Sequence, residues 1–182
     1  MTKSILRILL TVIFAGIIGQ NFAQKKGVKW YTFEEAVELN QKEQRKIFID
    51  IYTDWCGWCK KMDANTFSHP TIAKILNEHY YAVKFDAESR DTIVFAGQQF
   101  INKGNSARSP HQLAIALLQG KMSYPSVAYM NENNQRLTAV PGYFTPERLE
   151  PILRFFADDA FKSKSFEEFQ KNFQSEITAD KQ

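Results

Sequence analysis

The sequence predicts an α/β domain in which a mixed β-sheet carries helices on both faces. Two short apolar runs, Lys46 to Tyr52 and Tyr80 to Asp86, have the length and composition of strands buried on both faces. Helical patterns lie between them, and a predicted hairpin and a further helix follow. A strand–helix–strand crossover followed by a hairpin gives a sheet with both parallel and antiparallel strands.

The other elements are predicted from helix caps, turns and apolar spacing. Thr32 and Glu35 form a capping box, which indicates a helix from about Phe33 to Lys42. Pro70 suits the first turn of a second helix, and Pro146 that of a later one. The remaining predicted elements are a helix that opens at the Cys56–Cys59 motif, strands Ser126 to Met130 and Arg136 to Val140 joined by a turn at 131–134, and a last helix with a capping box at Ser165 to Glu168.

Residues 88–120 are predicted to contain two helices. In the first, Ile93, Val94, Gly97, Phe100 and Ile101 share a face, and Gly104 ends the helix. The second opens at Ser109-Pro110 and ends at Gly120.

The first 23 residues have the pattern of a secretory signal peptide. Lys3 and Arg7 precede an apolar core at 8–18, and the small residue Ala23 precedes the expected cut. The apolar run is short for a membrane span, which needs about 20 residues, but an uncleaved N-terminal anchor is the alternative. We therefore expect an exported protein, periplasmic or extracellular, with its domain in residues 24–182.

The charge balance argues against nucleic-acid binding. The chain has 23 Lys and Arg against 20 Asp and Glu, a formal charge of +3. Removal of Lys3 and Arg7 with the leader leaves the domain almost neutral. Basic clusters with interleaved aromatic residues, which are typical of nucleic-acid surfaces, do not occur in the sequence.

The chain has two cysteines, Cys56 and Cys59, in one Cys-x-x-Cys motif. A disulfide across a two-residue gap removes little chain entropy, so the pair suits chemistry better than structural stabilisation. A zinc site would need two more ligands, and His69, His79 and His111 show no paired spacing. We therefore expect no structural metal, whereas a dithiol that carries copper stays open as an alternative.

Three segments together resemble the thioredoxin-like family. The family's active site, which follows a core strand, resembles Asp54 to Lys60 (DWCGWCK). Its cis-proline loop is similar to Ser123 to Ser126 (SYPS), and its terminal segment is similar to Val140 to Tyr143 (VPGY). The resemblance covers about residues 29–157, and the similar subgroup is that of extracytoplasmic domains related to the C-terminal domain of the transmembrane thiol:disulfide interchange protein. It implies the thioredoxin fold, with 88–120 as an insertion before the cis-proline loop.

The resemblance also implies an activity. The protein is expected to be a thiol:disulfide oxidoreductase that exchanges electrons with protein disulfides or thiols and receives electrons from a membrane-bound donor, without an organic cofactor. Gly57 adds no group that would hold a thiolate and Trp58 at most a weak donor, which favours a reductase. A binding module of the same fold with little turnover is the alternative.

The positions of the cysteines predict their order of action. At a helix start, free backbone N–H groups and the positive end of the helix dipole stabilise the thiolate of Cys56. We therefore expect Cys56 to be the exposed nucleophile. Cys59 lies three residues on, within bonding reach, and is expected to resolve the mixed disulfide.

The resemblance assigns roles to further residues. It implies that Asp50 is a buried proton acceptor for Cys59, the alternative being a water-accessible strand aspartate. The family often has a lysine beside this aspartate; the position taken to match it here is Ala82, so a different proton path is expected. The resemblance also implies a cis Tyr124-Pro125 bond, whose backbone pairs with an extended substrate, the alternative being a trans proline.

Aromatic residues flank the motif. Trp55 and Trp58 lie on either side of Cys56, and with Gly57 they are predicted to contact the substrate. Trp58 replaces the proline that is usual in thioredoxin itself. We expect the insertion at 88–120 to influence partner choice, the alternative being that it only covers the sheet.

Overall fold

A computed structural model of the protein describes residues 27–177. The predicted signal peptide, residues 1–23, lies outside the described residues. The strands are β1 (Trp30–Tyr31), β2 (Lys46–Tyr52), β3 (Tyr80–Asp86), β4 (Ile93–Phe95), β5 (Gln98–Phe100), β6 (Ser126–Met130) and β7 (Arg136–Pro141). The α-helices are α1 (Phe33–Lys42), α2 (Gly57–Met62), α3 (Pro70–His79), α4 (Gln112–Leu118), α5 (Pro146–Ala157) and α6 (Phe166–Lys171). A π-helical turn (Asp63–Phe67) continues α2, and a 3-10 turn (Ala160–Lys162) follows α5.

Five strands form one mixed sheet in the order β1-β3-β2-β6-β7. The first three run parallel, because α2 and α3 carry the chain from β2 to β3 in a crossover. The hairpin of β6 and β7 adds two antiparallel strands. In this register Asp50 of β2 lies opposite Lys84 of β3 and Val127 of β6, at the centre of the sheet.

Helices cover both faces of the sheet, as the sequence predicts. Alternate residues of β2 point to opposite faces: Phe48 packs into the core beneath α3 and α5, whereas Ile49 packs into the core beneath α1 and α4. Most of the buried residues of both cores are aliphatic or aromatic. The two cores hold the sheet rigid, so that loops at its edge are fixed in place.

One predicted helix is wrong. Residues 93–100 form an antiparallel hairpin, β4 and β5, rather than a helix. Ala96 and Gly97 lie at φ 51° and 75°, and a two-residue turn of this kind matches the twist of paired strands. The apolar spacing that suggested a helix also fits strand alternation, since Ile93 is buried while Val94 is exposed.

The second helix predicted within residues 88–120 is present, but it begins later than predicted. Helix α4 starts at Gln112 rather than at Ser109-Pro110, because the imidazole of His111 accepts the N–H of Leu113 and caps the helix. Within residues 27–177, no helix has both the length and the apolar character that a membrane crossing requires.

Two tyrosines of one core differ in hydrogen bonding and give a test of the packing. Tyr80 donates its hydroxyl to the Leu153 carbonyl at 2.6 Å, whereas the buried Tyr129 hydroxyl has no partner among the described residues. We expect Tyr80→Phe to lower the free energy of unfolding by about 1 kcal/mol, and Tyr129→Phe to leave it unchanged or raise it. Urea unfolding of both variants measures this. A larger loss in Tyr129→Phe would contradict the packing described here.

Candidate active site

The active-site motif lies where strand β2 ends and helix α2 begins. Cys56 is the N-cap of α2 and forms a disulfide with Cys59, their Cα atoms 5.3 Å apart. The Cys56 Sγ accepts the backbone N–H of Cys59 at 3.1 Å. The predicted helix start is therefore present, and the Cys59 amide, which has no backbone acceptor in the first turn of the helix, donates to the sulfur of Cys56.

The expected exposure of Cys56 is not seen in the disulfide form. Cys56 is 5% exposed and Cys59 is 2% exposed, so both are buried. The exposed surface around them belongs instead to Trp55 and Trp58, which are 51% and 57% exposed. The sulfur is turned inward because it bonds Cys59 and accepts that residue's amide.

The Tyr124-Pro125 bond is cis, as the resemblance implies. The Pro125 carbonyl accepts the N–H of Gly142 at 2.8 Å, which ties this loop to the end of β7. The Tyr124 ring meets the Trp55 ring edge-on, with centroids 6.1 Å apart. The predicted substrate-contacting residues of the two loops are therefore neighbours.

A second aromatic pair lies on the other side of the motif. Trp58 packs against Tyr143, with ring centroids 5.3 Å apart, and Lys61 lies over both rings. At Gly57, between the cysteines, an added Cβ would meet no atom within 4 Å. The motif is thus flanked by one aromatic pair at Trp55 and another at Trp58, with free space at Gly57 between them in the chain.

Asp50 is buried, being 1% exposed, which excludes the water-accessible alternative. Its Oδ2 accepts a hydrogen bond from the Lys84 ammonium at 2.6 Å, and its Oδ1 has no partner among the described residues. Burial raises the pKa of Asp50 to about 6, and the attraction of Lys84 opposes part of that rise.

The expected lack of a lysine beside the aspartate was wrong, so the reason for predicting a different proton path no longer holds. The parallel register places Lys84 opposite Asp50, whereas Ala82 lies opposite Phe48, two residues earlier. The comparison with the family had placed the lysine position at Ala82, two residues too early on β3. Counting from the first residues of the two predicted strands, Lys46 and Tyr80, would have found the pair.

Asp63 is a residue that the sequence reasoning missed. Its carboxylate contacts the ammonium of Lys84, which therefore bridges Asp63 and Asp50. Burial lowers the pKa of Lys84, but the two carboxylates outweigh it and the net shift is upward. Asp63 follows Cys59 by four residues, a helical spacing that could have indicated its placement on the same side.

Lys84 and Asp63 line a cleft that opens to solvent, together with Trp30 and Phe67. The exposed fraction of the Asp63 side chain is 44%. The buried carboxylate of Asp50 is thus connected to the surface through one lysine and one partly exposed acid.

Histidines do not join this site. His69 and His111 cap helices α3 and α4, and His79 lies 3.1 Å from the guanidinium of Arg154. Among residues 27–177, no three His, Cys, Asp or Glu side chains are arranged to hold a metal ion.

Comparisons with known proteins bear on the family and the fold. A family model named Thioredox_DsbH, described as "Protein of unknown function, DUF255", matches residues 20–171. Human spermatogenesis-associated protein 20 is 30% identical over 80 residues, which are 43% of this chain and 10% of that protein. The match therefore spans about a tenth of the human relative's length.

Two solved structures share the fold. One described as DsbH oxidoreductase is 16% identical, with 80% of this chain and 96% of that chain covered and a TM-score of 0.50. A thioredoxin from Thermus thermophilus is 15% identical, with 82% and 99% covered and a TM-score of 0.54. The predicted thioredoxin fold is therefore confirmed, and because the family model matches most of its length, the chain belongs to the Thioredox_DsbH (DUF255) family.

Proposed function

We propose that this protein is a thiol:disulfide oxidoreductase that reduces protein disulfides with the dithiol of Cys56 and Cys59. The observation that carries the proposal is the position of Cys56 as the N-cap of α2, where its sulfur accepts an amide and bonds Cys59. Hydrogen bonding to a sulfur at a helix start favours the thiolate, which is the attacking species.

The reaction proceeds in two exchanges. The Cys56 thiolate attacks one sulfur of the substrate disulfide, forms a mixed disulfide and releases the other substrate sulfur as a thiolate, which takes up a proton. Cys59 then loses its proton and attacks the sulfur of Cys56, which releases the second substrate thiol. The substrate gains two electrons, and the protein is left with the Cys56–Cys59 disulfide that the structure contains.

Asp50 is the proposed proton acceptor for Cys59. A carboxylate whose pKa is about 6 is ionised at neutral pH and still basic enough to take a proton. Its Oδ1 carries no hydrogen bond within the described part of the chain, so it is available to a proton donor. Lys84 and Asp63 then provide the contact with the solvent-exposed cleft through which the proton leaves.

The buried charge also supports the direction of electron flow. Strong oxidants owe their potential to a stabilised thiolate in the reduced form. An ionised Asp50 beneath the motif disfavours a second negative charge nearby. Around Cys56, the one hydrogen bond to sulfur within residues 27–177 comes from the Cys59 amide. One amide hydrogen bond, opposed by the charge of Asp50, supports the thiolate less than the strong oxidants do, which favours a reductase.

Export belongs to the same proposal and rests on the leader pattern of residues 1–23. Outside the cytoplasm a reducing glutathione pool like that of the cytosol is lacking, so the proposed electron donor is a membrane-bound dithiol. The proposed substrates are proteins with accessible disulfides.

Insulin reduction with dithiothreitol as the electron source tests the activity. We expect catalysed turnover that disappears in Cys56→Ser, whereas Cys59→Ala should accumulate a mixed disulfide with insulin. A rate equal to that of dithiothreitol alone would contradict the proposal. Stoichiometric copper uptake without turnover would instead support the binding module.

The role of Asp50 predicts a pH dependence. As pH rises through about 6, Asp50 ionises and becomes able to accept a proton, so resolution of the mixed disulfide should accelerate. We expect Asp50→Asn to slow resolution by ~10²-fold at pH 7 and to remove this inflection, with little effect on the attack by Cys56. Rapid-mixing kinetics with a mixed disulfide on Cys56 measures both steps. Equal slowing of the two steps would remove Asp50 from proton transfer.

The same shift has a consequence for stability that provides an independent check. The pKa of Asp50 is higher in the folded state than the unfolded value of about 3.9, so the folded state binds more protons between these values. Stability is thus highest below pH 4 for this group and falls by roughly 3 kcal/mol as pH rises through 6. Asp50→Asn should lack this fall, and urea unfolding of the oxidised protein at pH 4 and pH 7 would show it.

A further inference from the structure

The segment 102–109 of the insertion is held in place by many hydrogen bonds. The Asn102 amide donates to three carbonyl groups, at distances of 2.6 to 3.2 Å. The Arg90 guanidinium donates to the carbonyls of Gly104 and Ser106 at 2.6 and 2.5 Å. At Gly104 an added Cβ would lie 2.1 Å from the Ser109 side chain, so the loop closes tightly at this glycine.

This ordered loop places Arg108 over the active site. The Arg108 guanidinium lies 5.0 Å from the centroid of Trp55, the residue before Cys56. The Trp55 indole N–H is itself held by both carboxylate oxygens of Glu88, at 3.0 and 3.1 Å. Tyr124 packs against the same ring. Arg108 therefore rests on a fixed aromatic platform next to the reactive disulfide.

The Arg108 side chain is exposed, and its guanidinium makes no ion pair and no side-chain hydrogen bond within residues 27–177. Glu88 accepts the indole N–H of Trp55 and keeps its negative charge, but neither Glu88 nor the exposed Asp54 forms an ion pair with Arg108. Guanidinium presents a planar fork of donors that matches a carboxylate.

A second cation repeats the arrangement on the other aromatic pair. Lys61 lies 4.9 Å from the Trp58 centroid and 5.6 Å from that of Tyr143. A segment that binds at Gly57, between Trp55 and Trp58 in the chain, would thus have a cation on the tryptophan at either side. A partner segment that complements these two positive charges carries a carboxylate next to the cysteine that Cys56 attacks.

We propose that Arg108 is a specificity-determining residue that binds an acidic side chain beside the disulfide cysteine of an extended partner segment. The inference rests on the proposed reductase function and names its substrate class. It also gives the insertion a direct role in partner choice, since Arg108 belongs to it.

Peptide disulfides with a matched charge difference test the proposal. Two peptides differ only in having Glu or Lys on both sides of the disulfide-bonded cysteine, and hydroxyethyl disulfide is an uncharged reference. The rate at which each oxidises the reduced protein is followed by tryptophan fluorescence. Each rate is divided by the rate of the same disulfide with dithiothreitol, which corrects for intrinsic reactivity.

We expect the corrected rate to be about threefold higher for the Glu peptide than for the Lys peptide, and the preference to shrink at high salt. Arg108→Gln should reduce this preference and Arg108→Glu should reverse it. Lys103→Gln removes the same charge from the same loop without a contact to Trp55, and should keep it. The peptide rates of each variant are also divided by its own rate with hydroxyethyl disulfide, so that a general change in reactivity does not count as a change in preference.

Equal corrected rates for the two peptides in the wild type would overturn the proposal, as would a preference unchanged in Arg108→Gln. In either case hydroxyethyl disulfide would still react, so the reductase function would stand. If the reduced protein reacts with none of the three disulfides, the proposed function fails and this inference fails with it.

Discussion

The ion pair between Asp50 and Lys84 joins the two central parallel strands, on the face of the sheet where the π-helical turn after α2 packs. Withdrawing these charges from water costs free energy, and a buried pair seldom returns more than it costs. Here the second carboxylate, Asp63, offsets part of the cost of burying the ammonium. The raised pKa of Asp50 shows that burial is only partly compensated. A carboxylate poised in this way, on the strand that leads into the Cys-x-x-Cys motif, is suited to proton transfer.

The turn of helix that carries the cysteines couples the sulfur chemistry to this charge cluster. Cys56 caps α2, Cys59 lies in its first turn, and Asp63 follows where the helix passes into the π-helical turn. The reacting sulfur of Cys59 is therefore only four residues along the chain from Asp63, whose carboxylate contacts Lys84. The Trp55 and Tyr124 rings pack together beside the cis-proline loop, and a Cβ at Gly57 would meet no atom within 4 Å, which leaves room there for the extended partner of the proposed reaction.

Much of the fold could be predicted from the sequence because local signals agree with the tertiary structure. The limits of β2, β3 and β6 coincide with their predicted runs, and the Thr32–Glu35 capping box starts α1 where expected. The error at 93–100 arose because a short apolar segment fits both a helix and a hairpin, and the decision depends on the positive φ of Ala96 and Gly97. The contact of Arg108 with Trp55 could not be predicted, since it joins residues 53 positions apart through a loop without regular structure. The pairing of Lys84 with Asp50 was missed because the lysine was sought two residues too early, although in-register pairing of the two predicted strands places it opposite Asp50.

The central claim is that the reduced dithiol is stabilised less than in the strong oxidants, so that the protein donates electrons to disulfides. The reduction potential of the Cys56–Cys59 pair measures this directly, because a stabilised reduced form raises the potential. It can be obtained by equilibration with glutathione redox buffers, with the fluorescence of Trp55 and Trp58 as the readout. The account predicts a value below about −200 mV, on the reducing side of the range for Cys-x-x-Cys proteins. A value near about −120 mV, that of the strong oxidants, would contradict it and make the protein an oxidase of substrate thiols.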